Sequence, residues 1–545
     1  MQCCKGTLYL YFNGILSFFR LFFFDMKKPF LLFLNILFLF GIGAPSSLGA
    51  SEREEALKAL KKLPEGKITL KVVVQKGIES ADSFQKILNL EKKSLSLKQS
   101  SEAPLDPLLV LSYQDLNNQN ESVSIYSPSK LVTQSTDLSF KKYFSSGTQF
   151  EAGIVQNLGS YHFDFPSPSA FDYKEYQLKV GLSQSLWKDF FGQSTRWQIK
   201  ALQKEAEALR GELVDAISDW FLSMAHLFYN AYLAQVNAQL AQNNVKLKQR
   251  LYQITQLKKK RGTAELPDVL QAENALSLAQ AQLTDARSAL FNEWARLVVG
   301  LKFPASWLKL DPLEVPLGLD DPSARALKAC ESLSKEEVAQ SNVKLKKIRK
   351  RLKGRELQLL SAKDQLKPDL RLQVSAAYNA VDSLSLDNAL EELKDFSHPN
   401  LVVGLSLTWP LGRHQQKAKY LQELSSRDQA LFDMKIAEDE LAVNWISHCR
   451  SLKEDFKKVK QLKQSVDRQK LRVRLEEKRF RLGQIPLQNV IMAGDEARQT
   501  QSVYYRSLMA VKENSWSILK MSSDLDKEIE GLVCQKLGQR NCLSF

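Results

Sequence analysis

Beyond residue 50 the sequence has no apolar run approaching the roughly 18 residues that a membrane-crossing helix requires, which excludes a bundle of transmembrane helices. It has no GxSxG, HExxH, phosphate-loop or CxxC pattern, so it offers no nucleophile elbow, zinc pair or phosphate cradle. Its five histidines, His162, His226, His398, His414 and His448, show no metal-ligand spacing. His226 lies in "MAHLFYN" on a helical stretch, where packing is the expectation. Acidic pairs such as Glu476 and Glu477 sit among arginines, as on a solvated helix face. No catalytic residue, metal or cofactor follows from these patterns, and the chain does not read as an enzyme. Glycine and proline are missing from Arg413 to Leu482 and again from Asp495 to Glu530, so both stretches are free to be helical from end to end. Cysteine is also scarce beyond residue 50: Cys330, Cys449, Cys534 and Cys542. In "CQKLGQRNC" the last two are spaced either for a small disulfide or for two free thiols.

The first 50 residues differ from the rest. "MKKPFLLFLNILFLFGIGAPSSLGA", from Met26, has two lysines, an apolar run and then small residues, the layout of a secretory signal peptide. We expect residues 1–50 to be this signal, with Met26 as the start, followed by a linker over 51–66. The net charge is +15. Its Lys and Arg are spread along helix faces, as in "KLKQRLYQITQLKKKR", without an aromatic-rich RNA signature or zinc spacing, so no nucleic-acid partner is expected.

The chain repeats itself at long range. "LKVGLSQSLW" (178–187) aligns with "LVVGLSLTWP" (401–410), and "RGTAELPDVLQA" (261–272) with "LGQIPLQNVIMA" (482–493). The repeats span 67–300 and 335–530, with a Pro-containing linker over 301–334 and a tail over 531–545. Each half runs helix, strands, long helix, glycine break, helix.

Strict alternation of apolar and polar residues in "YQLKVGLSQSL", "DLRLQVSAAYN" and "NLVVGLSLTW" predicts strands with one apolar face. Trp187 and Trp409 stand at strand ends, like interface aromatics of a membrane β-barrel. For the first strand of half one, "PLLVLSYQD" is preferred; "GTQFEAGIV" is its rival, or part of a surface insertion over Leu116 to Tyr173. About four strands per chain result, and a spanning barrel needs about eight or more, so several copies must share one barrel. The long helix expected over Gln193 to Arg261 carries its apolar stripe at Leu202, Ala206, Leu209, Leu213, Ile217 and Trp220. Its length, near 100 Å at 1.5 Å per residue, suits a rod or a wall.

Taken in order, "LVVGLSLTWPLGR" and "RFRLGQIPLQNVIMAGDEARQTQSVYYRSLMAV", each with its counterpart in half one, resemble the TolC-type outer-membrane efflux proteins. The resemblance implies a mainly α fold with a small membrane β-barrel portion. Long antiparallel helical hairpins would form an α-barrel, and about four strands per chain would enter a shared trimeric barrel. It further implies a passive outer-membrane exit duct of a tripartite efflux or type I secretion system, with a long periplasmic portion. The expected partners are two further copies, outer-membrane lipid, a periplasmic adaptor and an inner-membrane pump. By the same resemblance Arg261, Gly262, Thr263, Leu482, Gly483 and Gln484 lie at an adaptor-docking tip. Asp268, Asn489 and Met492 fall where the tunnel would narrow. Family members carry acids after the second tip glycine, whereas Asn489 and Met492 are uncharged. The alternative is a periplasmic coiled-coil structural or adhesive protein without a conduit, which leaves the alternating strands and the duplication unexplained.

Overall fold

A computed structural model describes residues 66–537 apart from 121–123, 125, 165 and 383–398. The expected signal peptide, nearly all of the linker after it, and Cys542 lie outside the described residues. Two units separate: Met1–Lys67 with Pro304–Asp311, and the remainder. Of the first, the ordered feature is a 3-10 turn over Ala305–Lys309. Everything below concerns the second.

Its helices are α1 (Leu70–Ser80), α2 (Asp82–Glu102), α3 (Gln193–Lys260), α4 (Leu266–Gly300), α5 (Ser323–Ser332), α6 (Lys335–Ser341), α7 (Val343–Asp364), α8 (His414–Arg481), α9 (Leu487–Met521) and α10 (Asp524–Leu537). The duplication holds element by element. α3 and α8 each have 68 residues, α4 and α9 each have 35, and all four boundaries repeat at an offset of 221 residues. At 1.5 Å per residue the long helices run about 100 Å and the returning ones about 50 Å. Each returning helix therefore covers half of its partner. α2 and α7 pack along the other half, so α3 is flanked by α2 and α4 on one side and by α7 and α9 on the other. α8 follows at the edge, against α7 and α9.

The stripe expected on α3 is the one that packs: Ala206, Leu209, Leu213, Ile217 and Trp220 are buried, and the seam continues through Ala231, Ala238 and Ala241. Its centre is aromatic. Phe84 and Trp220 lie 4.9 Å apart between ring centroids, as do Phe221 and Trp516. The Trp516 indole donates to the buried Tyr229 hydroxyl at 2.8 Å. Fully burying each such side chain contributes about 2 kcal/mol. His226 departs from expectation. It lies just off the stripe, is largely exposed, and meets Glu513 at 2.9 Å.

The strands form one antiparallel meander in the order β1 to β6: β1 (Leu108–Asn118), β2 (Lys130–Tyr143), β3 (Thr148–Phe163), β4 (Ser169–Ser185), β5 (Asp369–Asp382) and β6 (Pro399–Thr408). Six strands replace the expected four. Both rivals for the first strand are strands, and the span read as a surface insertion supplies β2 and most of β3. Polar residues in "KLVTQSTDLSFKKY" and two glycines in "TQFEAGIVQNLGSYHF" blur the alternation that marks the other strands.

Candidate functional site: the hairpin tips and the sheet

Both long hairpins turn by the same device. Gly262 has φ +74° and Gly483 φ +79°, the left-handed region that glycine enters without strain. Gly262 N–H donates to the Lys259 carbonyl at 3.0 Å, and Thr263 N–H to that of Lys258 at 3.0 Å. Gly483 N–H reaches Phe480 at 3.0 Å, and Gln484 N–H reaches Arg479 at 2.9 Å. This is the Schellman closure, which satisfies carbonyls a helix end leaves open. Lys258, Lys259 and Lys260 in the last turn of α3 complement its negative end. α4 restarts from Glu265 in a capping box, with Pro267 in its first turn. α9 restarts from Pro486, which is the cap itself rather than a first-turn residue as expected from sequence.

The two turns stand side by side. Leu247, Leu251, Ala272, Phe480, Leu487 and Val490 make a shared apolar cluster beneath them. Lys258 donates to the Phe480 carbonyl and stands 4.1 Å over its ring. Gln271 donates to Gln488 at 2.7 Å. Arg261, Gly262, Thr263, Leu482, Gly483 and Gln484 are all exposed. Asp268 turns its carboxylate onto the Glu265 N–H at 3.1 Å, so it caps its own helix. Asn489 and Met492 are exposed on α9.

One turn below Met492 lies a contact that the sequence did not suggest. Lys248, 2% exposed, donates to the Ile491 carbonyl at 2.9 Å and to the Asp495 carboxylate at 3.1 Å. Burial pulls its ammonium below the ordinary lysine value, and Asp495 opposes that pull. In "NNVKLKQR" the residue looks like part of a solvated face. Midway along α3, Asp215 pairs with Lys347 at 2.6 Å and Lys520 at 3.0 Å. Burial alone would raise its carboxyl, but the two ammonium groups outweigh it and hold the value below normal.

The sheet has two unlike faces. One carries unbroken apolar rows across all six strands. Leu109, Phe140, Ala152, Val180, Ala376 and Leu401 stand in one, and Leu111, Leu138, Ile154, Leu178, Tyr378 and Pro399 in the next. On the other, Lys179 meets Asp137 at 2.7 Å and Glu151 at 3.7 Å. Where β4 passes into α3, Asp189 accepts from Tyr143 at 2.9 Å and from the Thr195 N–H and hydroxyl at 2.9 and 2.7 Å. Trp187 and Trp409 are half exposed at this end of the sheet, and Phe190 and Phe191 join them, which the sequence reading missed.

A disulfide links Cys330 of α5 to Cys449 of α8, with Cα atoms 5.7 Å apart and 119 residues between them in sequence. No local pattern marks that pair. Cys534 is also disulfide-bonded. Among the described residues no group of His, Cys, Asp or Glu is placed to hold a metal, and no helix is long and apolar enough to cross a membrane.

Residues 155–300, from within β3 through the Gly262 turn to the end of α4, match the outer membrane efflux protein family. The chain carries an outer membrane efflux protein domain. No curated protein matches the sequence significantly. Solved outer membrane channels share the fold. CmeC of Campylobacter jejuni has a TM-score of 0.62 at 12% identity, covering 85% of this chain and 89% of that one. VceC of Vibrio cholerae scores 0.58 at 13%, covering 86% and 96%. MtrE of Neisseria gonorrhoeae, in its open state, scores 0.58 at 14%, covering 83% and 88%. At such identities the likeness is one of architecture. The efflux-protein fold thus extends over both halves, while the family match falls on the first.

Proposed function

We propose that three copies of this chain form the outer-membrane channel-tunnel of a tripartite efflux or type I secretion system. An inner-membrane pump drives the cargo, and the chain itself supplies a passive duct. The observation that carries this reading is the pairing of a sheet apolar on one face with about 100 Å hairpins that end in paired, exposed glycine turns. Outer-membrane lipid covers the apolar rows, and the polar face lines the exit. The exposed turns at Arg261 to Thr263 and Leu482 to Gln484 receive the periplasmic adaptor.

The edges of the helical layer support assembly. α8 presents Phe432, Ile436, Val443, Ile446, Leu471 and Leu475 to solvent, and α4 presents Leu270, Leu278 and Phe291. Such stripes at three- and four-residue spacing suit neighbouring helices of further copies. A coiled-coil scaffold would use the stripes but has no role for the apolar rows of the sheet.

Fractionation of cells expressing the full chain, followed by planar-bilayer recording, tests the duct. The expected result is a heat-modifiable oligomer in the outer-membrane fraction that conducts ions. Recovery in soluble periplasmic extract, without conductance, would favour the scaffold.

A further inference from the structure

We propose that the β2–β3 hairpin is part of the membrane wall, so that the assembled barrel has eighteen strands and an exit about half again as wide as a four-stranded contribution would build. The proposal rests on the trimeric reading above for the number of copies, and on the sheet for the number of strands per copy.

The repeat shows what has been added. Upstream of the strands, α2 begins at Asp82 and α7 at Val343, an offset of 261 residues. Downstream, α3 begins at Gln193 and α8 at His414, an offset of 221. Half one therefore holds 40 more residues than half two between equivalent helices. β2 through β3, Lys130 to Phe163, accounts for most of that surplus.

The added hairpin obeys the chemistry of its neighbours. Leu138 and Phe140 of β2, with Ala152 and Ile154 of β3, stand in the same apolar rows as Val180, Ala376 and Leu401. The alternate residues Asp137 and Glu151 share the polar face with Lys179, which bonds to both. A loop lying outside the wall has no reason to keep its apolar residues level with those of the strands beside it.

The hairpin is also built into the helical end. Its turn touches the start of α3 so closely that a Cβ on Gly147 would come within 2.5 Å of Gly192 N, and one on Gly192 within 2.1 Å of the Ser145 carbonyl. Arg196 donates to that carbonyl at 2.7 Å. β1 and β6 are the two free edges of the meander, and they run antiparallel to one another. Edge β1 of one copy can therefore continue the ladder of β6 of the next, as closure demands. Three copies of six strands give eighteen. At about 4.8 Å between strands and a tilt near 40°, the backbone diameter is about 36 Å, against about 24 Å for twelve strands.

Two measurements on the full chain in outer-membrane vesicles and in detergent separate the parts. Nitroxide labels are placed singly at Leu138→Cys and Ile154→Cys on the apolar face, and at Ser135→Cys and Val155→Cys on the polar face. Collision with dissolved oxygen, which concentrates in acyl chains, is then compared with collision with a water-soluble nickel chelate. The proposal expects the oxygen-to-nickel ratio to be several-fold higher at 138 and 154 than at 135 and 155. Equal ratios at all four positions would put the hairpin outside the wall and overturn the proposal, whatever the copy number. Because two positions report each face, one variant that fails to assemble leaves the comparison intact. Native mass spectrometry in detergent reads the copies. Three chains complete the eighteen-strand count. Two chains with alternating labels would overturn that count together with the trimeric reading.

Discussion

α3 and α8 have the same length, end in the same glycine closure and occupy equivalent places in the repeat, yet α3 buries 25 residues and α8 only five. Burial here follows position in the layer. α3 lies between two pairs of helices, whereas α8 has neighbours on one side. Four of its five buried residues, Trp445, Leu452, Val466 and Phe480, stand at multiples of seven, a single coiled-coil seam. The other side of α8 keeps Phe432, Ile436 and Val443 in water, each forgoing about 2 kcal/mol of burial. Twin helices thus record two environments, one completed within the chain and one awaiting another copy.

That contrast can be broken. Ile217→Glu, in the buried stripe of α3, should prevent the chain from accumulating. Ile436→Glu, on the open side of α8, should leave a folded protein that no longer forms oligomers, a difference visible by circular dichroism beside native mass spectrometry. A folded Ile436→Glu protein that still assembles would refute the open-edge reading. Removing the tie between α5 and α8 comes next in size. Cys330→Ser with Cys449→Ser opens a 119-residue span, and the chain-entropy estimate for such a loop is up to about 4 kcal/mol. Denaturant unfolding with and without reductant should show the loss in the wild type and none in the variant.

Asp215 gives the pH-dependent comparison within α3. Its folded value lies below the ordinary 3.8. The ion pairs therefore contribute in full above that value, and the contribution disappears as pH falls through the lowered one. Asp215→Asn should cost about 2 kcal/mol at neutral pH and flatten the acid limb of a stability-versus-pH curve. An unchanged acid limb would show that the pairs do not set it. At the tips, Gly262→Ala and Gly483→Ala should each cost about 1 kcal/mol. Nothing lies within 4 Å of an added Cβ at either glycine, so that cost is backbone strain alone. Gly494→Ala, whose Cβ would meet Leu247 at 2.7 Å, should cost more. Smallest of all, multivalent cations added from the tip side should block single-channel current only weakly. Asn489 and Met492 bring no charge, and Asp495 is held by Lys248.

Length, periodicity and glycine placement made the helices and their turns legible, because each is a local pattern repeated once per half. The apolar rows of β4, β5 and β6 were legible for the same reason. β2 and β3 were not: their faces are set by the strands beside them, and Gly153 and Gly159 interrupt the alternation that a single strand must show by itself. The Cys330–Cys449 bond and the Lys248–Asp495 pair lie deeper still, since residues 119 and 247 positions apart meet only once the helices are packed. Of the candidate tip, the turn chemistry could be read directly, whereas the capping use of the Asp268 carboxylate emerged only with the helix that it starts.

The 221-residue offset resumes unchanged at α3 after the added hairpin, and the reason is parity. A strand carries the chain from one end of the wall to the other, and a second strand brings it back. An insertion of two therefore returns the polypeptide to the end where α3 must begin, whereas one or three would deliver that helix to the opposite side. A wall of this kind can change its girth only in even steps, and each such step leaves the rods beneath it where they were.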